Sequence, residues 1–80
     1  MAKKRVHLTF PENLIQEPLI FRLATDFNIV TNIRRANVED SYGWVVLEME
    51  GSDEILEKGI AYLRERGVEV NDADGDAVAG

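Results

Sequence analysis

Few side chains in this sequence are equipped for bond-making chemistry. His7 is the only histidine. It lies in an alternating segment whose own side offers only Thr9 and, from a neighbouring strand, Trp44. Acid–base or metal chemistry needs a second positioned group, so His7 reads as a surface residue. Ser41 and Ser52 are explained by a turn and a helix cap. Glu48 and Glu50 share a strand face without a positioned partner and read as solvating charges. The run Asp72-Ala73-Asp74-Gly75-Asp76 has acids at the first, third and fifth places of a calcium loop but its glycine at the wrong one. An EF-hand needs acids at positions one, three and five, Gly at six and Glu at twelve, whereas here Gly75 precedes Asp76 and no Glu follows. The absence of cysteine excludes disulfides, thiolate metal sites, iron–sulfur clusters and thiol nucleophiles. Neither G-x-x-x-x-G-K nor G-x-G-x-x-G is present to cradle phosphate. The expectation is a binding or regulatory module and not an enzyme, with no cofactor and no metal.

Charge narrows the partner. Nine Lys and Arg stand against fifteen Asp and Glu, a net of -6. Nucleic-acid binding starts from a basic footprint, and the only clusters here are Lys3-Lys4-Arg5 and Arg34-Arg35, so the balance argues against it. No apolar run reaches the roughly 18 residues of a membrane span. The start Met-Ala-Lys-Lys-Arg lacks the apolar stretch of a signal peptide, and a cytoplasmic location is expected.

The elements follow from periodicity. Val6, Leu8 and Phe10 alternate with Arg5, His7 and Thr9, the pattern of a half-buried strand closed by Pro11. Leu19, Ile20, Leu23, Ala24 and Phe27 recur at helical spacing. Pro18 sits at the helix start, where its missing N–H costs nothing, and Leu14 and Ile15 are pinned against the core from the preceding loop. Ile29 to Val38 is rich in β-branched residues, but Ile29, Thr31 and Ile33 have one parity and Ala36 and Val38 the other. A bulge near Arg34 and Arg35 would bring both sets to one face; otherwise one set stays exposed. Glu39 to Gly43 is a polar turn, and Trp44 to Glu50 the next strand, with Val45, Leu47 and Met49 inward. Ser52 caps a second helix with the stripe Ile55, Leu56, Ile60 and Leu63, Gly59 permits close approach to the sheet, and Gly67 ends the helix. Val68 to Val70 is a short last strand.

The order β-α-β-β-α-β predicts an α+β, ferredoxin-like domain: a four-stranded antiparallel sheet with two helices on one face. Residues 5–70 form that domain, between a disordered amino terminus (1–4) and a disordered acidic tail (71–80). The second and last strands lie at the edges, open to strand addition. Trp44 and Val46 project from the helix-free face beside His7 and Thr9, either as incidental exposure or as a partner surface.

Two longer segments carry a resemblance. Phe27-Asn28-Ile29-Val30-Thr31-Asn32-Ile33 followed by Gly43 to Gly51, and Gly59 to Val70, are similar to the NIL domain, with Leu8-Thr9-Phe10, Pro18 and Leu23 to Phe27 in agreement. Coverage runs from about Val6 to Val70. The resemblance implies a ferredoxin-like fold related to the ACT domain. It also implies a regulatory role like that of the carboxyl-terminal domains of methionine-import ABC transporter ATPases, which pair and bind methionine. NIL domains also occur beside iron–sulfur ferredoxin modules. Where the family has Asn-Ile-Leu, this chain has Asn32, Ile33 and Arg34, so the ligand-binding residues implied are these three. An Asn side chain can both donate and accept hydrogen bonds, and Arg34 can hold a carboxylate as a fork. The subunit interface is expected from Val30, Ala36 and Val38, with Trp44 and Val46. The expected function is a small, free-standing, dimeric domain sensing an amino-acid-like ligand such as methionine. The alternative is a protein-interaction module, without a small ligand, docking on a transporter or redox partner.

Overall fold

Apolar and polar residues alternate through the first strand, β1 (Ala2–Pro11), which buries Val6, Leu8 and Phe10 on one side. The structure, a computed structural model, describes residues 1–73. The strand begins three residues before the expected Arg5. Ala2, Lys3 and Lys4 are not a disordered terminus but pair with Gly51, Glu50 and Met49. Opposite charges at Lys3 and Glu50 favour that extension. After Pro11 a 3-10 turn, Glu12–Leu14, drops Leu14 into the core, as expected for this loop residue. Helix α1 (Leu19–Phe27) follows with Pro18 as its N-cap, and Asn28 closes it in the left-handed conformation, φ 57°.

Strands β2 (Val30–Val38) and β3 (Tyr42–Gly51) form an antiparallel hairpin, in which Glu39 N–H donates to the Tyr42 carbonyl at 2.8 Å. Gly43 lies within β3 and not in the turn. Helix α2 (Asp53–Arg66) starts at Ser52, whose Oγ accepts from Ile55 N–H at 3.2 Å, and ends at Gly67 with φ 106°. Asp53 and Glu54 in its first turn, and Arg64 and Arg66 in its last, match the helix dipole. The last strand, β4 (Glu69–Asp72), runs two residues past the expected end. Ala73 is buried and its N–H donates to the Arg5 carbonyl at 3.0 Å. The expected tail at 71–80 thus begins with three anchored residues, and the remainder of that expectation lies outside the described residues.

The sheet order is β2-β3-β1-β4 with every pair antiparallel, so β2 and β4 are the edges. Both helices contribute to one core with the inward residues of β1 and β3, among them Leu8, Leu19, Leu23, Leu47, Met49 and Leu63. That places both helices on one face of a ferredoxin-like α+β fold. Each such fully buried side chain contributes about 1.5–3 kcal/mol. Gly59 lets α2 approach closely: a Cβ there would stand 2.6 Å from Ile29 Cδ1 and 3.3 Å from Leu23 Cδ2.

Candidate functional site

The site is built around an irregularity in β2. Thr31 and Ile33 pair with Met49 and Leu47; the register then shifts between Ile33 and Arg35, and Ala36 and Val38 pair with Val45 and Gly43. Arg34 is the extra residue of this bulge. Its insertion restores phase, so Thr31, Ile33, Ala36 and Val38 all share the helix side with Leu47 and Val45. The parity conflict in the sequence is resolved as a bulge.

These aligned residues are not buried. Ile33 is 54% and Val38 64% exposed, and Phe21 on α1 is 65% exposed. Between them and the start of α1 runs a groove of about 280 Å³. Its floor is Ile33, Ala36, Val38 and Val45; its far wall is Phe10, Leu14, Pro18 and Phe21. Nearly all of that lining is apolar. The exception is Glu17, whose Oε1 accepts from Arg66 Nη2 at 2.7 Å and from Arg22 Nη1 at 3.5 Å. The Arg66 hydrogen bond, opposed by partial desolvation, holds the Glu17 carboxyl below the usual carboxylate range. The groove therefore combines an apolar floor and one fixed carboxylate; Arg34, at the bulge, is not part of its lining, and its charge acts on Glu48 of the opposite face. Among the described residues, no strand lies beside the backbone N–H and C=O groups on the outer side of β2. A larger cleft of about 600 Å³ beside α2 is lined by Lys4, Glu57, Arg64, Asn71 and Asp72 among others, mixed charges without an apolar floor of this extent. Among the described residues no group of three or more His, Asp or Glu side chains is placed to hold a metal.

The expected ligand set is divided by the strand. Ile33 lines the groove. Asn32 pairs with Glu48 on the opposite face, and Arg34 stands at the bulge between the two registers. The expected interface set divides likewise: Ala36 and Val38 lie in the groove, whereas Val30, Trp44 and Val46 lie on the helix-free face. Val46 is only 4% exposed there. Near it His7 stacks on Trp44 with ring centroids 5.4 Å apart, and Arg35 Cζ is 6.0 Å from the Trp44 ring. Arg5 Nη2 donates to Glu48 Oε2 at 3.0 Å on the same face. That bond, opposed by partial desolvation and reinforced by Lys3, lowers the Glu48 pKa. Phe21 escaped the sequence reading. The signal available was its position off the stripe of Leu19, Leu23 and Phe27, an aromatic residue on the wrong side of an amphipathic helix.

Residues 4–72 match the NIL domain family. The chain is 30% identical over 69 residues to the methionine import ATP-binding protein of Coxiella burnetii, covering 81% of this chain and 20% of that protein. The corresponding protein of Halalkalibacterium halodurans is 32% identical over 69 residues with the same coverage. The L-aspartate semialdehyde sulfurtransferase iron-sulfur subunit of Methanocaldococcus jannaschii is 32% identical over 65 residues, covering 81% of this chain and 50% of that one. The chain thus spans a fifth of the two import proteins and half of the iron-sulfur subunit. Among solved structures, the C-terminal domain of an ABC transporter ATP-binding protein from Enterococcus faecalis superposes with a TM-score of 0.77 at 20% identity, covering 89% of this chain and 83% of that one, a likeness of fold.

Proposed function

This chain belongs to the NIL domain family, and on that footing we propose that it is a regulatory module that acts by binding and not by catalysis. It takes an amino-acid-like ligand such as methionine into the β2 groove, and it pairs with a second copy along the β2 edge. The observation that carries this reading is the apolar groove of about 280 Å³ beside an edge strand. Its size lies at the small end of ligand pockets, which suits a single amino-acid side chain. Ile33, Ala36 and Val38 receive that side chain. Ionised Glu17 accepts from its ammonium. Asn32, on the other face of its strand, serves the pairing and not the groove. Binding could then report on ligand level through the state of the pair, since a ligand favours whichever form holds it better.

The second reading is a docking site for a transporter or redox partner without a small ligand. The exposure of Phe21 and Val38 supports it, because large apolar side chains at a groove rim suit a protein anchor as well. No helix among the described residues is long and apolar enough to cross a membrane, so in either reading this segment meets a transporter as a peripheral surface.

Titration calorimetry of the chain against L-methionine, norleucine, leucine and aspartate separates the two. The ligand reading predicts a heat of binding for the apolar amino acids that Ile33→Glu removes and Glu17→Gln weakens. Silence with every amino acid at millimolar concentration would contradict it and leave the docking reading.

A further inference from the structure

The helix-free face carries a second surface that the β2 groove does not use. The ladder registers place Lys3, Arg5 and Arg35 on it with Glu48, Glu50 and Glu69; Arg34 acts on Glu48 there and Glu39 accepts from Asn37 and Tyr42 at its rim, giving four charges of each sign. Its formal charge is therefore zero, in a chain of net charge -6. Two copies of so acidic a chain repel each other through most of their surfaces; on this face they do not. Its centre is aromatic. The stacked His7–Trp44 pair spans the two middle strands, with Arg35 beside it, Tyr42 toward one end and Val46 sealed beneath. Trp, Tyr and Arg at the centre of a patch, with charges of both signs around them, is the composition of a contact surface.

We propose that this face packs against the same face of a second copy, sheet on sheet. The area suffices. The molecule measures 35 × 31 × 16 Å, and its broad side exceeds the ~800 Å² per partner of a standard interface. Both signs of charge on one patch allow a copy turned about a twofold axis to set its cations against the other's carboxylates. The exposed Val30 gains cover in the same contact. This association is separate from pairing along β2 and does not depend on ligand in the groove; with both in place the chain forms a dimer of dimers.

Trp44 is the only tryptophan, so it reports the contact directly. Acrylamide quenching of Trp44 is measured from low to high protein concentration, beside sedimentation velocity. The wild type is expected to gain protection as its mass rises. The double exchange Asn37→Glu with Asn71→Glu adds like charge at both edges of this face. It should weaken the association about tenfold and abolish the protection, because acids then oppose acids across the pair. If that variant loses its folded circular dichroism, Thr9→Glu beside Trp44 serves instead. Ile33→Glu, directed at the groove, should leave the protection intact, which separates this contact from the β2 reading. The proposal is overturned if Trp44 is equally quenchable at all concentrations, as a face reserved for a different protein requires. It is equally overturned if the acidic variants associate like the wild type.

Discussion

Ile33 and Leu47 face each other across one ladder, on the same side of the same sheet, and have opposite fates. Leu47 is 0% exposed; Ile33 is 54% exposed. Both are large aliphatic residues with inward parity. The difference lies in what covers them. Among the described residues, β3 is flanked by strands on both sides, whereas β2 has a neighbour on one side only. α2 has fourteen residues and α1 only nine, about 21 and 14 Å at the rise of an α-helix. The shorter helix leaves the bulged half of β2 without a roof. Inward parity therefore marks a residue that can be buried, and the layer above decides whether it is. In this chain the apolar residues beyond that layer form the candidate site.

The comparison is sharpened first by truncating both partners. Leu47→Ala should cost about 2–5 kcal/mol, a large part of the stability of so small a domain. Ile33→Ala should change it by no more than about 0.5 kcal/mol, the usual limit for exposed positions. Urea denaturation of the two variants checks both. Equal losses would mean that the β2 edge is as buried as β3. The next effect in size is expected at Gly59→Ala. The new methyl meets the end of the Ile29 side chain, and overpacking of this kind costs about 1–3 kcal/mol. A neutral or stabilising outcome in thermal melts would show that Ile29 yields freely and that the helix layer is less tightly seated than described.

Smaller again is the pH response. Glu17 and Glu48 are both held below the usual carboxylate range, chiefly by the hydrogen bonds from Arg66 and Arg5. A lowered folded pKa gives stability that is full above the unfolded value, about 4.3 for Glu. It is lost as pH falls through the lowered folded value. Melting temperatures should therefore fall from below about pH 5. The wild type should be more stable than Arg5→Gln near neutral pH, by a margin that shrinks toward pH 2. The same difference between the two at every pH would remove Glu48 ionisation from the account.

Much of this architecture was legible in the sequence because period and punctuation agreed. Val6, Leu8 and Phe10 alternate, Ser52 and Gly67 bracket one helix, and Pro18 starts the other. The bulge was one of two readings the sequence left open, since Ile33 and Ala36 cannot share a face without one, and the other, exposure, holds for Ile33 and Val38 as well. The strand ends were harder. Ala2 to Lys4 and Asn71 to Ala73 have little apolar content of their own and are held by pairing with β3 and β1, a tertiary effect that local pattern does not contain. The candidate site was half legible. The Asn32-Ile33-Arg34 run pointed to the strand that borders the groove, but the pleat sends Asn32 and Ile33 to opposite faces. The other wall of the groove, Leu14, Pro18 and Phe21, comes from a segment distant in sequence and becomes a wall only once α1 is laid across the sheet.

The central claim is that the uncovered groove beside β2 receives an amino-acid-like ligand. Amide chemical-shift mapping of the chain during titration with L-methionine tests it most directly. The account predicts saturable shifts at Ile33, Arg34, Ala36 and Val38 and at Glu17 to Phe21, with His7, Val46 and Asn71 on the opposite face unmoved. No shift up to millimolar ligand, or shifts confined to the helix-free face, would contradict it.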